Sequence, residues 1–263
     1  MLLSTWLLCL GGGAVAGLLA GMLGIGGGLV IVPLLIYLLP IIGVPPELVV
    51  PSAIATSLAT VCMTTASASR SHAKHGLMEK FWLVRVLPGL SIGAMTGAYL
   101  VTVIDPDWLK RIFSIVLIAL AARMVLPQKT GEPMTSVSKR LVALGSYIIG
   151  TISGLVGIGG GALTVPFLTK MRLPVRQAIA ISSLGSFIIG CSSVVMFIAN
   201  GWLSGKATGA FGLIHIPAWI GISVASVLMA PLGAKLAHKL PVKQLQRVFA
   251  AFLIIVAVQL IFK

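Results

Sequence analysis

Acidic residues are almost absent from this sequence: five carboxylates stand against nineteen Lys and Arg residues in 263 positions. The five lie at or near segments that read as loops, and none falls inside a long apolar segment: Glu47, Glu79, Asp105, Asp107 and Glu132. Carboxylates are the usual ligands for Na⁺ or a divalent metal inside a membrane and the usual proton carriers there. Any ligand bound within the apolar segments is therefore expected to be anionic or neutral.

Cysteine is equally scarce, with Cys9, Cys62 and Cys191 each alone inside an apolar segment. No C-x-x-C pair or zinc-ligand spacing is present, so we interpret the three as small core residues. No metal ion and no cofactor is expected.

Apolar residues are abundant: 58% of the letters are hydrophobic, 9% are charged, and the mean hydropathy is +1.10. Water does not tolerate so much apolar surface, so nearly the whole chain must lie in lipid. The net charge of +14 would suit nucleic acid, but the basic residues lie in short loops between apolar spans, as in cytoplasmic membrane loops. We predict an all-α, multi-pass protein of the cell (inner) membrane and no nucleic-acid partner.

One glycine cluster occurs twice. Gly24-Ile25-Gly26-Gly27-Gly28 returns as Gly157-Ile158-Gly159-Gly160-Gly161, a shift of 133, and Val32-Pro33 and Val165-Pro166 follow the two copies at the same spacing. Each cluster interrupts an apolar run, where glycine breaks a helix and exposes bare backbone. A matched pair of such interruptions is the best sequence indication of a transporter's binding site.

The clusters divide the chain into two repeats of one plan. We predict a first repeat at 1–126, a cytoplasmic linker at 127–140 and a second repeat at 141–263, each with a Gly-broken arm pair (2–39 and 141–169) and three spans. The spans are expected near 49–69, 81–104, 108–126, 177–199, 208–232 and 244–262. The arms 29–39 and 162–169 would be ~17 and ~12 Å long, too short for a ~30 Å hydrocarbon core. A broken helix or a hairpin near the midplane is indicated.

Loop charge selects between two topologies. If each arm pair crosses the membrane once, Lys and Arg divide 8 against 9 between the two sides; if each pair returns to its own side, they divide 13 against 4. The positive-inside rule favours the second arrangement. The two repeats are then inverted and both termini lie outside. Two full spans per arm pair give the same parity, so hairpins and extra crossings both remain open.

The glycine clusters are the first candidates for substrate binding: Gly24, Gly26, Gly27, Gly28, Gly157, Gly159, Gly160 and Gly161. Successive flexible residues can turn their N–H groups toward an anion, and the helix that starts after each cluster adds its positive dipole end. The alternative is that these glycines only allow close helix packing, which is common in membranes.

Hydroxyl side chains are the second candidates. Thr56 and Ser57 lie in the span after the first arm pair, and Ser182, Ser183 and Ser186 lie in the equivalent span. They would serve an oxyanion as neutral donors, or they bond to their own helix or to a neighbouring one.

Arg85 and His215 are candidates for gating or coupling. Arg85 stands a few residues inside its span and either reaches to the interface or attracts anions into an inward vestibule. His215 stands early in its span and is either a hydrogen-bonded structural residue or a proton carrier.

No enzyme motif survives inspection. Gly89–Gly93 fits G-x-S-x-G, but it lies in an apolar helix without the strand-to-helix turn or the buried carboxylate that the motif requires. We expect no enzymatic activity.

The sequence resembles a known family. The stretches Gly-Leu-Leu-Ala-Gly-Met-Leu-Gly-Ile-Gly-Gly-Gly from Gly17 and Gly-Thr-Ile-Ser-Gly-Leu-Val-Gly-Ile-Gly-Gly-Gly from Gly150, each followed by Val-Pro, are similar to the signature of TauE/SafE membrane proteins. Later pieces, such as Ala230–Leu236 and Leu245–Phe249, fit as well. The resemblance implies a transporter of sulfite, organosulfonates or related small oxyanions, often an exporter, with Pro33 and Pro166 among its signature positions.

We therefore expect a secondary transporter that exports a small sulfur oxyanion or an organosulfonate by alternating access. The alternatives are a channel-like pore for a small anion or neutral solute and a non-transporting membrane assembly factor. The expected partners are a small anionic substrate such as sulfite or sulfoacetate, the lipid bilayer and, as an option, a second copy in a homodimer.

Overall fold

The described part of the chain is almost entirely helical. The computed structural model describes residues 2–23, 27–74, 79–125, 138–205, 211–237 and 242–261, which form α-helices joined by turns. The helices are α1 (Leu2–Leu23), α2 (Gly28–Ile41), α3 (Pro46–Lys74), α4 (Lys80–Val103), α5 (Pro106–Val125), α6 (Lys139–Val156), α7 (Gly161–Lys170), α8 (Val175–Leu203), α9 (Ile216–Ala237) and α10 (Val242–Ile261). The all-α prediction is confirmed. Most of the predicted linker, 127–140, lies outside the described residues.

Five of these helices are long and apolar enough to cross a membrane, judged by length and composition: Pro46–Ala66, Lys80–Val103, Lys139–Val156, Val175–Leu203 and Ile216–Gly233. Large apolar side chains stand exposed along them; on α4 they include Phe81, Val84, Ile92, Tyr99 and Val103. A stripe of this kind is costly in water and is expected where a helix faces lipid. The fold is that of a multi-pass membrane protein.

The two short helices fold back along the helices that precede them. With 14 residues in α2 and 10 in α7, their lengths are about 21 and 15 Å, short of a hydrocarbon core. Gly12 of α1 packs against the Leu34 side chain of α2, and Gly145 of α6 packs against Phe167 of α7. In one continuous helix, Gly12 and Leu34 would be about 33 Å apart. Each arm pair is therefore a helical hairpin.

Helix neighbours in one half correspond to helix neighbours in the other. α1 packs on α9 and α6 on α4, α3 packs on α9 and α8 on α4, and the equivalent pairs α3–α8 and α5–α10 pack on each other. Single contacts correspond too: Gly17 lies against Ser226, and Gly150 lies against Leu90. Such an exchange of contacts is expected when two halves are related by an approximate two-fold rotation.

Two packed helices run parallel when a contact further along one helix is also further along the other. On this criterion α4, α6 and α8 run parallel to one another, and α1, α3 and α9 run parallel to one another. The contacts are Ser91–Ser192 and Thr102–Asn200 for α4 and α8, Gly89–Ala143 and Gly97–Thr151 for α4 and α6, Thr56–His215 and Thr60–Ser223 for α3 and α9, and Gly13–Ile222 and Gly17–Ser226 for α1 and α9.

Two cysteines meet where the halves join. Cys62 Sγ of α3 lies 3.1 Å from Cys191 Sγ of α8. The two residues are equivalent, because Cys62 follows Pro45 at the same spacing at which Cys191 follows Pro174. Next to them, Gly190 lets α8 approach the backbone of α3 at Leu58. Equivalent residues of the two halves thus meet in the contact between α3 and α8, which we call the seam.

This seam predicts a specific cross-link. In a Cys9→Ala protein with a protease site inserted in 127–137, mild oxidation should join Cys62 and Cys191, because their sulfurs are already in contact. After cleavage, the two halves should then migrate together on a non-reducing gel and separate after reduction. A Cys191→Ser protein is the control; halves that separate without reduction in the parent protein would contradict the packing of α3 on α8.

Candidate functional site

The same backbone bend opens both short helices. Gly27 caps the start of α2 with φ 81° and ψ −26°, and Gly160 caps the start of α7 with φ 80° and ψ −17°. This left-handed conformation suits glycine, because a Cβ raises its energy by ~1–2 kcal/mol. Each short helix therefore begins immediately after a residue that turns the chain sharply.

The two glycine breaks are in contact with each other. Gly28, the first residue of α2, packs directly on the carbonyl oxygen of Gly157 and on the backbone of Ile158 in the second break. All residues from Ser153 to Gly160, and Gly27 and Gly28, are buried. A Cβ at Gly28 would overlap this backbone. The predicted residues Gly24 and Gly26 lie outside the described residues.

Hydrogen bonds reach two of the carbonyl groups at the end of α6. The N–H groups of Gly157 and Ile158 donate to the Ser153 carbonyl oxygen at 2.8 and 3.3 Å, closing the helix at a left-handed Gly157 with φ 79°. Ser57 of α3 donates through Oγ to the Gly157 carbonyl oxygen at 3.0 Å. The break is thereby tied to the opposite half: Ser57, a predicted substrate donor, here donates to the backbone of the second glycine cluster.

The start of α7 has free donors. The first hydrogen bonds of α7 run from the N–H groups of Leu163 and Thr164 to the Gly160 carbonyl oxygen, at 3.0 and 2.8 Å. The N–H groups of Gly161 and Ala162 precede them, and helix geometry gives them no acceptor within the helix. The positive end of the helix dipole lies at the same place. The N–H groups at this end of α7 can donate to an anionic or polar ligand.

Among the described residues, the protein interior contains hydroxyl groups but no charged side chains. Within the described part of the chain, every buried polar side chain is Ser or Thr, and no Asp, Glu, Lys, Arg or His side chain is buried: Ser52, Thr56, Ser57, Thr60, Thr65, Ser69, Ser114, Ser146, Ser153, Thr164, Ser182, Ser186, Ser193, Ser223 and Ser226. The interior can therefore hold a ligand only through neutral donors and acceptors.

Two hydroxyl groups at the second break were missed by the sequence analysis. Ser153 and Thr164 are 0% and 1% exposed, and neither hydroxyl has a hydrogen-bond partner in the described structure. Their oxygens lie 3.3 and 3.5 Å from the point where a Cβ of Gly160 would be. A comparison of the two repeats could have identified them, because the equivalent residues of the first copy are the apolar Ala20 and Ile31.

Two of the other predicted hydroxyls, those of Thr56 and Ser186, have hydrogen-bond partners within the protein. Thr56 Oγ1 accepts the His215 N–H at 3.1 Å, which ties α3 to the start of α9. In α8, Ser186 donates to the Ser182 carbonyl oxygen at 2.9 Å, and Ser183 is half-buried. The shift in residue number from Cys62 to Cys191 also leads from Ser57 to Ser186, so these two serines are equivalent.

Arg85 folds along its own helix. Its Nη1 donates to the Phe81 carbonyl oxygen at 3.2 Å, and the guanidinium carbon lies 3.3 Å from the Phe81 ring centre. The side chain lines a groove of about 450 Å³ between α4 and α6, together with Lys139 and Tyr147. These contacts suit a residue at the membrane interface.

His215 caps a helix. It directly precedes α9, and its Nδ1 accepts the N–H of Ala218 at 3.3 Å. A side-chain acceptor at this position satisfies one of the free donors of the first turn. Protonation of Nδ1 would remove that acceptor.

Comparison with known proteins identifies the family of this chain. Residues 9–260 match the family model described as "Sulfite exporter TauE/SafE". A "Probable membrane transporter protein" of Haemophilus influenzae is 39% identical, covering 98% of both chains. The "Probable membrane transporter protein YunE" of Bacillus subtilis is 28% identical over 95% of both chains, and the "Probable membrane transporter protein MJ0441" of Methanocaldococcus jannaschii is 29% identical over 92% of this chain and 90% of its own. No solved structure matches significantly. The resemblance found in the sequence is confirmed, and the chain belongs to the TauE/SafE family of membrane transporters.

Proposed function

We propose that the protein is a secondary transporter that exports a small sulfur oxyanion or an organosulfonate by alternating access. The observation that carries the proposal is the contact between the two glycine breaks, Gly28 against Gly157, deep among buried hydroxyl groups. Helix starts and bare amides from both halves then lie in one region. Substrate sites of transporters form from such discontinuous helices.

The chemistry of this region favours an anion. At the end of α6, the carbonyl oxygens of Ser153 and Gly157 have donors, whereas the first amides of α7 have no acceptor in their helix. A cation would need free carbonyl or carboxylate oxygens. The description of the family, which names sulfite export, supports a sulfur oxyanion and outward transport.

The helix directions support inverted repeats. The connection between α3 and α4 spans only residues 75–79, and so short a link between two spanning helices reverses the chain. α4, α6 and α8 then run opposite to α9, α1 and α3, which are their counterparts. Two repeats of opposite direction have their two-fold axis in the membrane plane, the arrangement used for alternating access.

Loop charges assign the sides. With hairpins at α1–α2 and α6–α7, the Lys and Arg residues that begin α4 and α6 and those that surround α7 and α8 lie on one side: Lys80, Lys139, Arg140, Lys170, Arg172 and Arg176. The opposite side has Lys110 and Arg111. The positive-inside rule puts the first group in the cytoplasm and both termini outside.

Reporter fusions test this topology. Alkaline phosphatase, which folds only outside, should be active at either terminus, and green fluorescent protein inserted in 127–137 should fluoresce in the cytoplasm. The matched control exchanges the two reporters, which should silence both. An N-terminus or a C-terminus in the cytoplasm would refute the inverted arrangement.

Transport by purified protein in liposomes tests the function itself. Uptake of labelled sulfite or sulfoacetate should saturate and should be driven by an anion on the opposite side. Flux without such exchange would instead indicate the channel-like pore. A complete absence of flux would favour the non-transporting assembly factor.

Leucine at the breaks should abolish flux. Gly27→Leu and Gly160→Leu add a side chain where the φ angles are 81° and 80°, and at Gly160 a Cβ would already lie 2.5 Å from Ile189 Cδ1. Gly43→Leu is the control, because Gly43 has the same strain, with φ 89°, but no atom within 4 Å of its Cβ position. Flux should fall to background in the first two variants and persist in the control, with protein yield and gel filtration compared. Normal flux in both break variants would reduce the glycines to a packing role.

The cap at His215 predicts that this residue is not the proton carrier. His215→Asn keeps a capping acceptor and cannot titrate, so transport and its pH dependence should be retained; His215→Ala should cost ~1 kcal/mol of stability, measured as a lower Tm. Loss of the pH dependence in His215→Asn would assign the proton to His215.

A further inference from the structure

We infer that the second break alone contains the anion pocket, that Ser153 and Thr164 are its side-chain donors, and that it prefers a singly charged ligand such as hydrogensulfite or a sulfonate group. The inference rests on the proposed function and deepens it. It assigns the site to one repeat and to two residues outside the glycine clusters.

The hydroxyls of Ser153 and Thr164 are two of the few buried hydroxyls without a partner in the described part of the chain; the others belong to Ser52 and Ser146. Ser and Thr in membrane helices normally donate to the carbonyl oxygen one turn back, as Thr60, Thr151 and Ser186 do here at 2.9–3.0 Å. Ser153 and Thr164 make no such bond, although both are almost fully buried. A buried hydroxyl without a partner is destabilising, and two of them near one position favour a ligand there.

These two hydroxyls converge with the start of α7. Both oxygens lie within 3.5 Å of the Cβ position that Gly160 leaves empty, and Gly160 directly precedes the free amides of Gly161 and Ala162. Ile189 Cδ1 of α8 lies 2.5 Å from the same position. Side-chain and backbone donors therefore lie around one position, which a ligand reaches by displacing the terminal methyl group of Ile189.

The first break lacks this set of donors. Ala20 and Ile31 replace Ser153 and Thr164, and Ile31 is 1% exposed. The residue equivalent to Ile189 is Thr60, whose hydroxyl donates to the Thr56 carbonyl oxygen and accepts from Ser223. The bend is duplicated in both repeats, whereas Ser153 and Thr164 have apolar residues as their counterparts in the first repeat.

The absence of charge around the pocket sets the charge of the ligand. Every donor in reach is a neutral hydroxyl or amide, and among the residues described no cationic side chain is buried. The cost of removing an ion from water rises with the square of its charge, and neutral donors offset it incompletely. A monoanion is therefore accepted where sulfate or another dianion is rejected.

Ligand-induced thermal stabilisation of the purified full-length protein measures this binding directly. The probes are methanesulfonate, a monoanion, and sulfate, a dianion, with sulfite flux in liposomes measured on the same preparations. Methanesulfonate should raise the Tm of the wild-type protein, and sulfate should not. Ser153→Ala and Thr164→Val should each raise the half-saturating methanesulfonate concentration about tenfold, the effect of one hydrogen bond to a charged group.

Two variants control for structure. Thr164→Ser keeps the hydroxyl and should bind nearly as the wild-type protein does. Ser146→Ala removes another buried hydroxyl without a partner, which lies two turns earlier on α6 at the contact with α4, and it should leave binding unchanged. The Tm without ligand shows which variants fold.

The outcomes separate the inference from the proposed function. Unchanged methanesulfonate affinity in both Ser153→Ala and Thr164→Val, equal protection by sulfate, or sulfite flux without any methanesulfonate binding would overturn the pocket and leave transport intact. A wild-type protein that neither binds these anions nor carries sulfite would overturn both.

Discussion

The fold depends on a direct contact between two backbones. The start of α2 at Gly28 lies on the carbonyl group of Gly157, at a separation that leaves no room for a Cβ. Because Gly27 and Gly160 make the same turn, both hairpins bring their short helices to this contact. The amides and helix ends of the two breaks lie in one region because the breaks meet inside the protein.

The interior and the helix ends differ in the kind of polar group that they contain. In the part of the chain that the structure describes, the buried polar side chains are all hydroxyls, and charged residues lie at helix ends or on the surface, as with Lys110 and Asp107, 3.2 Å apart at the start of α5. A buried charge without a partner would be costly in lipid. Neutral donors avoid that cost and still favour an anion, while the loop cations are free to orient the chain.

The two halves share a backbone path but not a chemistry. Equivalent contacts recur at Gly17 and Gly150, and equivalent cysteines meet at the seam. Side chains at the two breaks nevertheless differ: Ser153 and Thr164 in the second half correspond to Ala20 and Ile31 in the first. A repeated scaffold gives the geometry of two hairpins in contact, and divergence of a few side chains gives their breaks different polar groups.

The sequence by itself determined the all-helical membrane class, the doubled break and the family, because apolar length and glycine spacing are local properties of the chain. The tertiary structure alone decided that the breaks touch, that Thr56 accepts from His215, and that Ser153 and Thr164 lack partners. The physical reason is that a hydroxyl bonds equally well to its own helix or to a neighbouring one, and only the packing of residues more than a hundred positions apart determines which acceptor is present.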